Sequence, residues 1–119
     1  MQQRLYQKLI VWRQAHQLCL EIYEITKAFP EIERWRLVDQ MCRAAASVPA
    51  NIAEGNTKIS VKEKRKYLRI AEGSLDELHC HCLLARDLGY ITSEKFLDFE
   101  RKINSIGYLL VQLSKSLSK

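Results

Sequence analysis

The residues in this sequence that are best suited to chemistry are its histidines and cysteines, which are common zinc ligands. They form a run at residues 79–82 and a pair at His16 and Cys19. On a helix only residues three or four apart share a face, so the run supplies one further pair, His79 with Cys82. If the two pairs faced each other, they would make a tetrahedral zinc site.

Packing is the simpler role for these residues. Cys19 and Cys82 both fall on apolar helical stripes, where a small apolar side chain is sufficient. We therefore predict no metal and no cofactor, and keep a metalloprotein built on these two pairs as a rival interpretation.

A short basic segment carries nearly all of the net charge of +5. Residues 56–69 hold six basic side chains against a single acid, Glu63. Four of them share one side of a helix, opposite its apolar stripe, and we call them the basic face: Lys62, Arg65, Lys66 and Arg69. Lys58 and Lys64 lie nearby and add charge.

Cations in the first turns of a helix oppose its dipole, and each exposed cation there costs the helix about 0.3–1 kcal/mol of stability. The position of the basic face therefore favours a phosphate ligand, and we predict nucleic-acid binding there. Two alternatives stay open, a solvated helix face and a salt-bridged contact between subunits. In the second, the basic half of this helix would pair with Asp76 and Glu77 of a neighbouring protomer.

Two further residues need a neighbour. Gly73 continues the basic face one turn beyond Arg69, and glycine costs a helix about 1 kcal/mol relative to alanine. This suggests the close approach of a neighbouring protomer or a phosphate backbone, and chance tolerance of the glycine is the alternative. Glu54 lies near a helix C-terminus, where the dipole disfavours an anion, so we expect its partner on another helix or protomer. The sequence offers no second acid, nucleophile or glycine-rich phosphate loop beside Glu54, and we predict no enzymatic activity.

Apolar residues recurring every three or four positions predict four helices, at about residues 9–29, 33–54, 60–88 and 93–118. The apolar stripe of the last helix repeats every 3.5 residues, which indicates left-handed packing. The fold class is therefore all-α, an antiparallel up-down four-helix bundle, with residues 1–119 forming one domain.

Local signals set the helix ends. We expect Pro30 to follow the first helix, Pro49 to kink or break the second, and Gly55 to end it. Ser60 and Glu63 form a capping box at the start of the third helix, and Gly89 supplies a left-handed cap at its end.

The start of the chain gives no export signal or membrane span. Residues 1–4 lead into no apolar signal core, and the longest aliphatic or aromatic run, Leu9–Trp12, is too short to cross a bilayer. The expected location is the cytoplasm, with all four cysteines reduced.

Several motifs together resemble the bacterial "four helix bundle protein" family, named for reading frames inside intervening sequences of large-subunit ribosomal RNA genes. They lie within residues 9–91: Val11-Trp12 with Ala15, Ile22-Tyr23, Thr26, Phe29-Pro30, Arg43-Ala44-Ala45 with Ser47, Asn51-Ile52-Ala53-Glu54-Gly55, Ile70–Leu78 and Leu88-Gly89-Tyr90. Accessory variability proteins of diversity-generating retroelements are relatives of this family.

The resemblance implies a four-helix protomer that assembles into a homo-oligomer, with a pentameric ring favoured. It also implies contact with nucleic acid or with a nucleic-acid enzyme such as a reverse transcriptase, and no catalytic residues. The sequence departs from the family pattern at Trp35-Arg36, Cys42 and Lys64. The function predicted from residues and resemblance together is a non-enzymatic, nucleic-acid-binding oligomer, and the alternative is a protein-interaction scaffold.

Overall fold

Four long helices occupy most of residues 2–117, the part of the chain that the computed structural model describes. They are α1 (Ile10–Thr26), α2 (Leu37–Asn56), α3 (Val61–Asp87) and α4 (Ser93–Ser116), with short 3₁₀ turns at Leu5–Lys8 and Glu31–Glu33. Each helix packs against the next along the chain, and α4 packs back against α1. The predicted all-α four-helix bundle is confirmed.

Polar caps and one left-handed residue define the ends of α3 and the start of α4. The Ser60 hydroxyl accepts a hydrogen bond from the backbone N–H of Glu63 (3.1 Å), which is the serine half of the predicted capping box. Thr92 does the same for Lys95 (3.0 Å). Gly89 adopts φ +81°, which confirms the predicted cap and lets the chain turn sharply into α4.

The second helix begins later than predicted. The predicted start is at about residue 33, but the chain makes a 3₁₀ turn at Glu31–Glu33 and α2 starts at Leu37. The Glu33 carboxylate accepts hydrogen bonds from the Leu37 N–H (3.4 Å) and from the Tyr90 hydroxyl (2.8 Å). Glu33 therefore caps α2 from outside the helix and links this turn to the α3–α4 loop.

The first helix is shorter than predicted, and the end of the last is only partly described. α1 ends at Thr26, and residues 27–29 continue as tight turns before Pro30. α4 runs to Ser116, while the predicted end at residue 118 lies outside the described residues.

The core runs along the whole bundle and contains the predicted apolar stripe of α2 and most of those of α3 and α4. Tyr67, predicted as part of the α3 stripe, is half-buried and lies outside this core. On α1 the stripe is rotated slightly. Val11 and Leu18 are buried, whereas Trp12 and Cys19 are half-buried. Their heptad-like spacing could not distinguish the centre of the stripe from its edge, because both sets of positions repeat every three or four residues.

Pro49 is buried within α2, and the helix continues through it without the break that we expected as one possibility.

The part of α2 around Pro49 carries a chain of side-chain hydrogen bonds. The Asn51 amide donates to the Ser47 hydroxyl (2.9 Å), and the Ser74 hydroxyl of α3 donates to the same Ser47 oxygen (2.8 Å). This region of α2 is therefore held both to itself and to α3.

Gly55 does not end α2, since the helix continues to Asn56, and its role is a close approach to α3. A Cβ atom at Gly55 would lie 3.0 Å from the Tyr67 Cβ and 3.3 Å from the Lys64 carbonyl oxygen. Both atoms are fixed to the α3 backbone, so neither can swing away. Only glycine permits this spacing between the two helices.

The two helical glycines give a matched stability test. Gly55→Ala should destabilise the protein by about 1–3 kcal/mol because of overpacking against α3. Gly73→Ala should stabilise it by about 0.5–1 kcal/mol, because a Cβ there meets no described atom within 4 Å and alanine favours the helix. Urea unfolding measures both changes in the free energy of unfolding. A stabilising Gly55→Ala would contradict the close α2–α3 contact.

Candidate nucleic-acid interface

The basic face lies on the first three turns of α3, and its four members are not equally exposed. Lys62, Lys66 and Arg69 are exposed. Together with Glu63 and Ile70 they line an open surface depression. Within residues 2–117, none of the three cations has a carboxylate oxygen within 4.0 Å. These three side chains are available to an external anion.

Arg65 has a partner inside the bundle. It is half-buried, and its Nε donates to the backbone carbonyl of Ser114 in the last turn of α4 (3.3 Å). Carbonyl groups in the last turn of a helix lack helical donors, and a nearby cation is also favourable for the helix dipole. Arg65 thus joins the start of α3 to the end of α4.

Lys58 and Lys64 are used in a similar way at the end of α2. Lys58 forms an ion pair with Glu54 (3.1 Å), and Lys64 donates to the Asn56 carbonyl (3.3 Å). The hydrogen bond to Glu54 is the main cause that raises the pKa of Lys58. The expectation that Glu54 pairs with another helix or protomer is wrong, because its partner is Lys58, four residues later in the same chain.

Tyr67 lies beneath these cations and contributes to their placement. The ammonium groups of Lys58 and Lys66 sit 5.2 Å and 5.7 Å from the centre of its ring. An ammonium group at that range is attracted to the face of an aromatic ring. Tyr67 falls on the apolar stripe of α3, and its spacing does not predict this contact with Lys66, because adjacent side chains on a helix do not face each other.

Gly73 is exposed, and no described atom lies within 4 Å of a Cβ placed there. The close neighbour expected at this position is therefore not another part of residues 2–117. Gly73 stays a candidate for contact with a ligand or a second protomer.

The two His–Cys pairs have separate partners. His16 stacks on Trp12, with ring centres 4.7 Å apart, whereas the His79 Nε2 lies 2.7 Å from a Glu100 carboxylate oxygen. Across the described ranges, no three His, Cys, Asp or Glu side chains are grouped closely enough to hold a metal ion. The geometry therefore does not support the metalloprotein interpretation.

The cysteines occur as free thiols in different environments. Burial raises the pKa of Cys82 to about 12. Burial is the main cause that raises the pKa of Cys19, and the neighbouring Cys42 raises it further. Cys80 is exposed on the outer side of α3.

The fold also places beside this site four cations that do not belong to the basic face. Arg4 and Lys8 lie in or next to the 3₁₀ turn that packs against α2, Arg13 lies in the first turn of α1, and Lys115 lies in the last turn of α4. In an up-down bundle these segments meet the start of α3 at one end. The predicted helix order alone could have identified them.

Comparison with known proteins identifies the family of this chain. The family model described as "23S rRNA-intervening sequence protein" matches residues 7–112. The chain belongs to the 23S rRNA-intervening sequence protein family. This confirms the family to which the sequence motifs pointed.

A crystal structure with a similar fold supports the architecture of this 23S rRNA-intervening sequence protein. It is a protein with unknown function from the S23 ribosomal protein family of Bacteroides thetaiotaomicron, 23% identical to this chain. The match covers 89% of this chain and 99% of that one, with a TM-score of 0.80. No curated protein matched. In the described part of the chain, no helix is long and apolar enough to cross a membrane.

The thiol environments predict a labelling order for this family member. At pH 8, Cys80 should react quickly with a thiol reagent, whereas Cys82 should react only on unfolding. The thiolate is the reactive form, and a pKa of about 12 leaves Cys82 about a thousandfold less thiolate than its ordinary value of 9.0. Mass spectrometry locates the label, and Cys80→Ser should remove the fast phase. Rapid labelling of Cys82 in the folded protein would contradict its burial.

Proposed function

We propose that this protein binds nucleic acid through phosphate groups, with the basic face of α3 as its contact surface. The proposal depends chiefly on Lys62, Lys66 and Arg69, three exposed cations that have no carboxylate partner within residues 2–117. The family name associates these proteins with intervening sequences of 23S rRNA, which is consistent with an RNA ligand. The protein acts as a cytoplasmic homo-oligomer and without catalysis.

Of the six residues predicted to bind nucleic acid, some contact phosphates and the others hold the surrounding helix ends in place. Lys62, Lys66 and Arg69 neutralise phosphates directly. Arg65 keeps its terminal guanidinium nitrogens for a phosphate while its Nε holds the end of α4. Lys58 and Lys64 fix the α2–α3 junction from which the face projects. Phosphate contacts position a protein without reading bases, so little sequence preference is expected.

A protein-interaction scaffold is the second candidate, and the outer side of α4 favours it. Leu97, Tyr108 and Val111 are 51%, 63% and 39% exposed, and they follow a helical spacing that would suit packing against another helix. The self-pairing contact through Glu77 is less favoured, because Glu77 lies 3.2 Å from His81 of the same helix. A nucleic-acid enzyme such as a reverse transcriptase is a further candidate partner for this surface.

Salt dependence tests nucleic-acid binding. Changing Lys62, Lys66 and Arg69 together to glutamine should flatten the slope of log affinity against log salt by about 2.7, because each phosphate contact contributes about 0.9. Fluorescence anisotropy with a labelled RNA duplex between 50 and 200 mM salt measures the slope. Circular dichroism should show an unchanged fold, since all three side chains are exposed.

A matched control changes Lys58 and Lys64 to glutamine. Both lie in the same basic segment but bond to groups within the chain, so this variant should lose stability and flatten the slope by less than 1. Equal slopes for wild type and the triple variant, with the wild-type fold retained, would rule out the basic face as the contact surface.

Self-association is tested separately by light scattering. The wild type should give a mass several times the 13.9 kDa of one chain, with five chains favoured by family resemblance. Tyr108→Lys should reduce the assembled mass if the outer side of α4 is the contact, because a charge would be buried at the interface. A monomer at micromolar concentration would contradict both the oligomer and the self-pairing scaffold.

A further inference from the structure

The two ends of the bundle differ sharply in charge, and the difference reaches well beyond α3. The start of α1, the end of α2, the start of α3 and the end of α4 lie together. Leu9, Gly55, Lys64 and Leu117, one from each of these segments, line the same small cavity. We call this the basic end. Its cations are Arg4, Lys8, Arg13, Lys58, Lys62, Lys64, Arg65, Lys66, Arg69 and Lys115.

The imbalance is large for a protein of this size. The basic end holds ten cations against two carboxylates, Glu54 and Glu63, which gives a formal charge of +8. The rest of residues 2–117 holds eight cations against twelve carboxylates, a formal charge of −4. Like charges gathered at one end repel one another, and an external polyanion relieves that repulsion.

Seven of the ten cations are exposed, and four of these seven lie outside the basic face. Three half-buried cations, Lys58, Lys64 and Arg65, bond to groups at the ends of α2 and α4. The exposed set is Arg4, Lys8, Arg13, Lys62, Lys66, Arg69 and Lys115. It comes from four separate elements rather than from one helical row: the first 3₁₀ turn with the residue before it, α1, α3 and α4.

The aromatic residues that pack among these cations are not open for stacking with bases, whereas Tyr108, farther along α4, is 63% exposed. Tyr6 and Trp12 are half-buried and pack edge to face, with ring centres 5.2 Å apart, and His16 stacks on Trp12. Tyr67 is half-buried beneath two ammonium groups. Proteins that hold single strands rely on open aromatic faces for about 1–3 kcal/mol per base. A duplex needs only phosphate contacts and offers about one charge per 1.7 Å of its axis.

We propose that the whole basic end is a platform for the phosphate backbone of a nucleic-acid duplex. This rests on the proposed function and extends it, because it adds Arg4, Lys8, Arg13 and Lys115 and specifies a double-stranded ligand. The bundle measures 46 × 29 × 20 Å. A duplex lying across the 29 Å dimension presents about seventeen phosphate charges, more than enough for seven cations.

An anionic lipid surface is the rival occupant, because exposed aliphatic side chains also lie at this end. Leu5, Ile10 and Ile59 are 73%, 64% and 96% exposed. They belong to three different segments, however, and interfacial membrane binding uses a continuous apolar helix face. Single exposed aliphatic residues are ordinary on protein surfaces, so the observations favour the duplex.

The experiment compares two triple variants of the full chain. The end variant carries Arg4→Gln, Lys8→Gln and Lys115→Gln, and leaves α3 intact. The control carries Lys27→Gln, Arg34→Gln and Arg101→Gln, which removes three cations that form exposed ion pairs at the other end. The probe is a 20-base-pair RNA duplex of arbitrary sequence, with one of its strands as the single-stranded probe.

The end variant should flatten the salt slope for the duplex by about 2.7, and the control by less than 1. Wild type should bind the duplex at least tenfold more tightly than the single strand at equal salt. Its affinity for the duplex should fall about a thousandfold or more between 50 and 200 mM salt, as expected for six or more phosphate contacts.

Each contrary result has a distinct meaning. If substituting Lys62, Lys66 and Arg69 flattens the slope but the end variant does not, the proposed function stands and the platform is wrong. If neither the end variant nor the substitution of Lys62, Lys66 and Arg69 changes the slope, the proposed function and the platform are both wrong. Tighter binding to the single strand would overturn the duplex. Binding to vesicles containing phosphatidylserine that is lost in Ile59→Ser, with no binding to the duplex, would assign this end to a membrane surface.

Discussion

The close contact between α2 and α3 is the constraint on which the rest of the structure depends. A glycine at position 55 lets the two backbones approach until a Cβ there would lie 3.0 Å from the Tyr67 Cβ. Two turns away along α2, the hydroxyls of Ser47 and Ser74 meet at 2.8 Å across the same pair of helices. These small residues fix how α3 begins relative to the end of α2, and therefore where its cations point.

That arrangement also changes the electrostatic meaning of the basic segment. Cations at the start of α3 oppose the dipole of their own helix, but the C-terminal ends of α2 and α4 lie beside them. Lys64 and Arg65 donate to backbone carbonyls at those two ends. Part of the basic charge thus stabilises neighbouring helix ends, and the cations that project outward stay available to an external anion.

Much of the recognisable chemistry in the sequence is used for packing. The His and Cys residues that suggested a metal centre stack on an aromatic ring, bond to a carboxylate or fill the core. Glu54 is likewise neutralised by Lys58. The fold leaves a set of exposed cations at one end of the bundle.

The sequence by itself determined the four helices, most core residues of α2, α3 and α4, and the cap at Gly89. These follow from local periodicity and from short-range backbone chemistry, which neighbours along the chain decide. Its motifs also indicated the family. The sequence also located the densest basic segment. It could not separate the exposed Lys62, Lys66 and Arg69 from Arg65, because all four share a single helical face.

Only the tertiary structure decided which cations are exposed, why Gly55 is needed and which residues share an end of the bundle. Each depends on contacts between segments far apart in sequence, such as Arg65 with Ser114 or Gly55 with Tyr67. Lys115 is separated from Lys62 by more than fifty residues, yet both lie at the basic end. Helix periodicity shows which side of a helix faces the core, whereas the packing of neighbouring helices decides what each remaining side chain meets.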